Sequence, residues 1–248
     1  MEATLTAVKR TLGSEVVRTA APGVPLEKAL ESAQFTDWYN RLDPRFHVKG
    51  VHVDSVDMFG PRVGFIKFKA DVIDHTGKPI SGIVFMRGGS VAMLPVFVCG
   101  RRYYTALCVQ PRLPTGQFDF VEVPAGTVDG SGNFAGAAAR EIEEELHMTV
   151  SEKELIELGA ATIRKDGLWL SPGAADEMMR FYAFVKRVSK QWLAEVNGRC
   201  TGLLEEHEQI TLKIAPLASL VDVPDAKTIV AHALFHNARR KGLIKIPA

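Results

Sequence analysis

The sequence predicts an α/β protein in two parts: residues 1–87 form a small N-terminal subdomain of one helix and an antiparallel sheet, and residues 88–248 form a larger α/β domain. Three observations carry this prediction. Residues 25–42 have helical spacing, residues 51–84 change to short β-type runs, and from Val91 onward long apolar strands alternate with helix-forming stretches. The chain has 248 residues, of which 46% are hydrophobic and 24% charged, so it can bury the core of one or two domains.

The opening helix begins at Pro25, which suits a first helical turn. Leu26, Ala29, Leu30, Ala33, Trp38 and Leu42 then recur on one face until Asp43-Pro44 stops them. In the β-type region Ile66, Phe68 and Ala70 alternate with Lys67 and Lys69, and residues 74–79 supply a turn. Residues 91–99 and 103–109 read as a β-hairpin turning at Gly100-Arg101-Arg102, and residues 118–123 as a further strand. Residues 137–146 are rich in helix formers. Strands are expected at 155–163, 178–186 and 210–214, with a turn at Ser171-Pro172-Gly173 and a short helix or loop at 190–197. Pro224-Asp225 opens a last helix, whose apolar stripe is Ala226, Ile229, Val230, Ala233 and Leu234. Its basic end at Arg239, Arg240 and Lys241 precedes Gly242.

Composition narrows the function. Thirty basic against 29 acidic residues leave a net charge of +1, which gives no electrostatic footprint for nucleic acid or an acidic membrane. The longest apolar run, residues 91–99, falls far short of the roughly 20 residues that span a bilayer. Three cysteines without metal-ligand spacing read as reduced thiols. The N-terminus lacks the pattern of a secretory signal. Lys9, Arg10 and Arg18 give a faint organellar signal that Glu2 and Glu15 oppose, so the expectation is a cytoplasmic protein or one of an organelle interior.

The segment Arg140-Glu-Ile-Glu-Glu-Glu-Leu146 holds the chemistry. On a helix Glu141, Glu144 and Glu145 share one arc, opposite an apolar stripe of Ala139, Ile142 and Leu146, while Glu143 points away from that arc. Like charges at such spacing call for water, a neighbouring cation or a hard divalent metal such as magnesium. A bare acidic face of this kind is otherwise simply solvated. Glu122-Val-Pro-Ala125 and Gly126 precede the helix as a strand and a glycine-bearing loop.

This succession resembles the Nudix box, read here as Gly126-Thr-Val-Asp-Gly-Ser-Gly132 followed by Arg140-Glu-Ile-Glu-Glu-Glu-Leu-His147-Met148. Gly132 stands where the box has its first Glu, and His147 where it has its last Gly. The likeness extends to Gln110-Pro-Arg112, to residues 122–126, to Ser171-Pro-Gly-Ala-Ala-Asp-Glu177 and to residues 201–210, which are similar to the ADP-ribose and nucleoside-diphosphate-sugar branch of the superfamily. Residues 56–60, 64–71, 82–85 and 201–203 look like the plastidial ADP-sugar diphosphatases of plants and their relatives in protists.

The resemblance implies a Nudix α/β/α sandwich around a mixed sheet, and a homodimer formed with the help of the N-terminal subdomain. It implies magnesium, with manganese as a substitute, held by the Ala125 carbonyl and by Glu141, Glu144, Glu145 and Glu208. Arg112, Glu122, Ser171, Gly173 and Glu177 become substrate-binding residues. Glu206 becomes the general base, with Glu144 on the box helix as the other catalytic candidate. The implied reaction is hydrolysis of the diphosphate of an ADP-sugar, ADP-glucose or ADP-ribose, to AMP and a sugar phosphate. A UDP-sugar or broad nucleoside-diphosphate-sugar diphosphatase is the alternative, and a non-catalytic nucleotide-binding module is the second alternative.

Overall fold

The computed structural model describes residues 12–128, 133–146, 148–159, 167–201 and 209–244, the side chain of Glu145 excepted. They form two compact units. The first comprises the chain up to Gly88 together with Ser171–Glu177, and the second comprises Gly89–Leu170 with Met178 onward.

In the first unit β1 (Val17–Ala20) pairs in parallel with β2 (His47–Phe59). β2 runs antiparallel to β3 (Arg62–Ile73), which in turn takes β4 (Pro79–Ile80) and β5 (Ile83–Met86). The sheet expected to be antiparallel therefore carries one parallel strand. β1 exposes Val17, Arg18 and Thr19, so it lacks the buried alternation that would announce it in sequence. β3 shows that alternation, burying Ile66, Phe68, Ala70 and Val72 while Lys67, Lys69 and Asp71 face outward.

The single helix expected over residues 25–42 is two helices, α1 (Leu26–Glu31) and α2 (Ala33–Arg41). Ser32 breaks the run by taking an extended backbone, and its hydroxyl oxygen accepts from the Phe35 amide to cap α2. Capping and helix continuation compete at a serine, and here the cap wins. Phe35 and Trp38 of α2 lie 4.9–5.5 Å from the Phe68 ring, which fixes the helix on the sheet.

The segment 171–177, which sequence order assigns to the second domain, is gathered into the first unit by specific bonds. The Ala174 carbonyl accepts from the Phe85 amide at 2.7 Å. The Asp176 carboxylate accepts from the Arg87 and Gly88 amides at 2.8 and 3.1 Å.

The second unit is a mixed sheet between two helical layers. Its strands are β6 (Gly89–Cys99), β7 (Arg102–Arg112), β8 (Gln117–Glu122), β9 (Ala125–Thr127), β10 (Ile156–Glu157), β11 (Leu168–Trp169), β12 (Met178–Arg187), β13 (Cys200–Thr201) and β14 (Ile210–Pro216). The spatial order is β10-β12-β6-β7-β14-β13, with β11 on β12, β8 on β7 and β9 on β6. Only the β12–β6 pair is parallel among the described ladders of this sheet. Helices α3 (Phe134–Leu146) and α4 (Lys190–Val196) cover one face, and α5 (Ala226–Arg240) covers the other. β6 thus sends Val91, Met93 and Phe97 to one layer and Ala92, Leu94 and Val96 to the other. This explains its unbroken apolar run.

The hairpin expected from residues 91–109 forms only at its base. β6 and β7 pair at Phe97–Cys99 with Arg102–Tyr104 and then diverge. Into the opening passes the segment that follows β8: the Pro124 carbonyl accepts from Met93 N at 2.9 Å, and β9 pairs with Ser90–Ala92. Pro95 lies between Met93 and the first β7 pair, on the side where β6 has no ladder bond to lose, which allows a proline inside a central strand. No helix among the described residues is long and apolar enough to cross a membrane.

On α5, His232 and His236 meet edge to face with ring centroids 4.4 Å apart. Burial holds both imidazoles below the ordinary value of 6.5, reinforced for His232 by His236 and for His236 by Arg239. A base whose folded pKa is depressed binds fewer protons folded than unfolded. Its contribution is therefore complete above pH 6.5 and is lost as pH falls through the folded value. Urea unfolding at pH 7.5 and pH 5 should show a smaller loss on acidification in the His232→Gln/His236→Gln double variant than in the wild type. Equal losses would remove the pair from the pH response.

Candidate active site

The site begins with the way β8 ends. Glu122, its last residue, is 2% exposed, yet every side of its carboxylate is engaged. Oε1 accepts from Arg112 Nε at 2.6 Å and from Gln110 Nε2 at 3.2 Å, and Oε2 accepts from Lys227 Nζ at 2.5 Å. Arg112 and Gln110 come from the end of β7, where the register slips by one residue around Pro111. A proline fits such a bulge because it has no amide to pair.

Lys227 comes from the first turn of α5 and also donates to Asp225 Oδ1 at 2.9 Å. Asp225 caps that helix: Oδ2 accepts from the Thr228 amide at 3.0 Å and from its hydroxyl at 2.7 Å. Thr228 Oγ1 in turn accepts from the Val123 amide at 2.9 Å in a fully buried setting. The start of α5 is therefore bolted to the peptide that leads into Pro124. Two cations and two carboxylates cancel within the cluster, so none of these charges is buried alone.

From that anchor the chain runs through Pro124 into β9. The Val128 amide donates to the Gly89 carbonyl at 3.0 Å. Asn133 then starts α3, its side-chain oxygen accepting from the Gly136 amide at 2.9 Å. Ala137, Ala138, Ile142 and Leu146 bury the inner face of α3; Ala139, expected in that stripe, is only partly buried, and Ala138 takes its place. Glu143 is exposed, whereas Glu141 and Glu144 are half-buried.

One contact fixes the relation of α3 to the loop. A Cβ placed on Gly126 would fall inside the Glu141 carboxylate, so glycine leaves the room in which that carboxylate lies against the Gly126 backbone. A half-buried carboxylate supplies oxygen donors of the kind hard divalent cations take. Among the described residues no three carboxylate, imidazole or thiol groups are already gathered as a metal cluster. The remaining proposed ligands, the Glu145 side chain and Glu208, lie outside the described residues, as do Glu206, Gly132 and His147.

In the second unit the structure pairs Arg112 with Glu122 and sets Glu141 against Gly126, with Ala125 in the same loop and Glu144 on the same helix as Glu141. Ser171, Gly173 and Glu177 belong to the first unit, where Glu177 faces Arg87 Nε at 3.6 Å. Sequence reasoning missed Lys227, Thr228 and Asn133. Asn133 carried a signal, a capping residue just before a helix-forming run. Lys227 carried none, because its partner Glu122 is 105 residues away.

The NUDIX domain pattern matches residues 86–233 of the chain. A relative in Arabidopsis thaliana, the chloroplastic Nudix hydrolase 14, is 36% identical over 229 residues, covering 87% of this chain and 74% of the relative. A solved structure described as an ADP compounds hydrolase matches with a TM-score of 0.56 at 14% identity, over 82% of this chain and 100% of that one, a likeness of fold. With the domain match spanning more than half of its length and a relative of this identity, the chain belongs to the Nudix hydrolase family.

Proposed function

We propose that the chain hydrolyses the diphosphate of ADP-sugars, ADP-glucose or ADP-ribose, to AMP and a sugar phosphate with the aid of magnesium or manganese. The observation that carries the reading is the Glu141 carboxylate seated against the Gly126 backbone, with the Arg112–Glu122 pair at the other end of the same loop. The relative's name supports a hydrolase, and the description of the structural neighbour as an ADP compounds hydrolase supports the substrate class. The same relative supports an organelle interior over the cytoplasm. Dimerisation through the first unit belongs to the same reading.

In this mechanism the Ala125 carbonyl, Glu141, Glu144, Glu145 and Glu208 hold the cation. A bound magnesium ion supplies charge neutralisation and Lewis-acid polarisation of the phosphate oxygens. Arg112, oriented by Glu122, presents its guanidinium to the diphosphate and offsets the remaining negative charge. Glu206 takes a proton from a water as the water oxygen bonds to one phosphorus. The bond from that phosphorus to the bridging oxygen breaks, and the departing phosphate keeps the electron pair. No covalent nucleophile on the protein is needed.

A hydrolysis panel with magnesium, comprising ADP-ribose, ADP-glucose, UDP-glucose and simple nucleotides with products identified, should show AMP from the first two. Hydrolysis of nucleoside triphosphates alone would overturn the substrate class, and a preference for UDP-glucose would move it to the broader one.

Glu145→Gln keeps the side-chain shape and removes a ligand charge, so turnover at low magnesium should fall on the order of 10²-fold, while Glu143→Gln stays near wild type. Turnover across a magnesium titration, together with thermal unfolding, checks both. Greater damage from Glu143→Gln would show that the helical phasing of the ligands is wrong.

Loss of a general base costs about 10²–10⁴-fold in the chemical step. Glu206→Gln should lower kcat by that order with little change in magnesium dependence, whereas Glu208→Gln should shift the magnesium dependence. Normal turnover in Glu206→Gln, combined with loss in Glu144→Gln at unchanged metal affinity, would place the base on α3.

A further inference from the structure

We propose that Lys227 is a positioning residue that keeps the guanidinium fork of Arg112 open for a diphosphate. The inference rests on the proposed function, with Arg112 as the anion contact, and it begins from an unusual division of one carboxylate. Arginine and a carboxylate commonly pair through two parallel bonds, which consume both the fork and both oxygens. Here Arg112 meets Glu122 through Nε alone, at Oε1. Lys227 Nζ occupies Oε2, and Gln110 Nε2 adds to Oε1.

Glu122 therefore has no second oxygen to offer Arg112. Among the described residues no other side chain engages the terminal guanidinium nitrogens, and the Arg112 side chain is 40% exposed. Lys227 cannot itself serve as the outward-facing cation. Its side chain is 16% exposed and its ammonium is divided between Glu122 and Asp225.

Charge points the same way as geometry. Glu122 alone would neutralise Arg112 and leave little attraction for an anion. Lys227 supplies a second positive charge, so the four groups with Asp225 are neutral together and the exposed guanidinium is the outward, positive end of the cluster. Asp225 is occupied by the amides and hydroxyl of the helix start, where the positive end of the α5 dipole meets its charge. Removing Lys227 frees Oε2, and Arg112 can rotate into a two-bond pair that closes its fork. Glu122 keeps a cation in that state, while Asp225 loses its ammonium partner and keeps the helix-start amides and the Thr228 hydroxyl.

The test compares Lys227→Met and Lys227→Arg in the full chain. Lys227→Met should raise KM for ADP-ribose on the order of 10-fold or more, the worth of one charge-assisted hydrogen bond, with kcat much less affected. The affinity for inorganic pyrophosphate, measured by calorimetry in EDTA, should weaken by a similar factor. Its crystal structure should show Arg112 bonded to both Glu122 oxygens, and Lys227→Arg should restore most of the affinity. Lys227→Gln serves the same comparison if the Met variant does not fold.

Unchanged pyrophosphate affinity, an unchanged single-bond Arg112 geometry, or a lower unfolding temperature with KM intact would overturn the proposal. The pyrophosphate and crystallographic readouts do not require turnover. A wild type inactive on ADP-sugars would therefore defeat the functional reading separately from this one.

Discussion

The second unit depends on the divergence of β6 and β7. Two strands that pair at a tight turn and then separate leave amides and carbonyls without ladder partners, a cost that must be met inside the sheet. The segment Pro124–Thr127 meets it by entering the opening and bonding to β6. The loop that carries Ala125 and Gly126 is therefore part of the sheet, and its position is set as firmly as that of a strand. α3 packs on that segment and brings Glu141 to Gly126.

Holding the opening in shape falls to the cluster around Glu122. Burying a carboxylate costs several kcal/mol, and hydrophobic groups of equal volume generally stabilise a fold at least as well as a buried ion pair. The cluster is thus a poor device for stability and a good one for geometry. It ties the ends of β7 and β8 and the first turn of α5 to fixed hydrogen-bond directions, which an apolar plug could not impose. Breaking it one partner at a time would cost about 3–5 kcal/mol where a charge is left unpaired.

Legibility in the sequence followed the range of the interactions. The strand β6, the helix α3 and the Asp225 start of α5 were readable because burial on two faces, helix propensity and capping are written in neighbouring residues. The Nudix box and its acidic face were readable for the same reason. β1 was not, since its stability comes from a parallel partner and not from its own pattern. Ser32 admits either a helix interior or a cap, and only the packing of α2 on Phe68 decides between them. The placement of 171–177 with the first unit depends on bonds to Phe85, Arg87 and Gly88, far away in sequence. Lys227 looked like an ordinary charged residue in a helical first turn.

The acidic helix shows how the parts of the site depend on one another. Glu141, Glu144 and Glu145 bring like charges three and four residues apart, each such pair costing about 0.2–0.5 kcal/mol. Glu144 and Glu145 also lie in the last turn of α3, against the negative end of the helix dipole, at about 0.3–1 kcal/mol apiece. These penalties total on the order of 1–3 kcal/mol. Burial of Ile142 and Leu146 contributes about 1.5–3 kcal/mol each before the alanines are counted, so packing wins and the helix forms despite its charge pattern. The residual repulsion is the electrostatic counterpart of a cation site, because a bound divalent ion turns neighbouring carboxylates from mutually unfavourable into jointly favourable ligands. A rule of local helix design is broken at the positions proposed to hold the cation, and the surrounding core bears the cost.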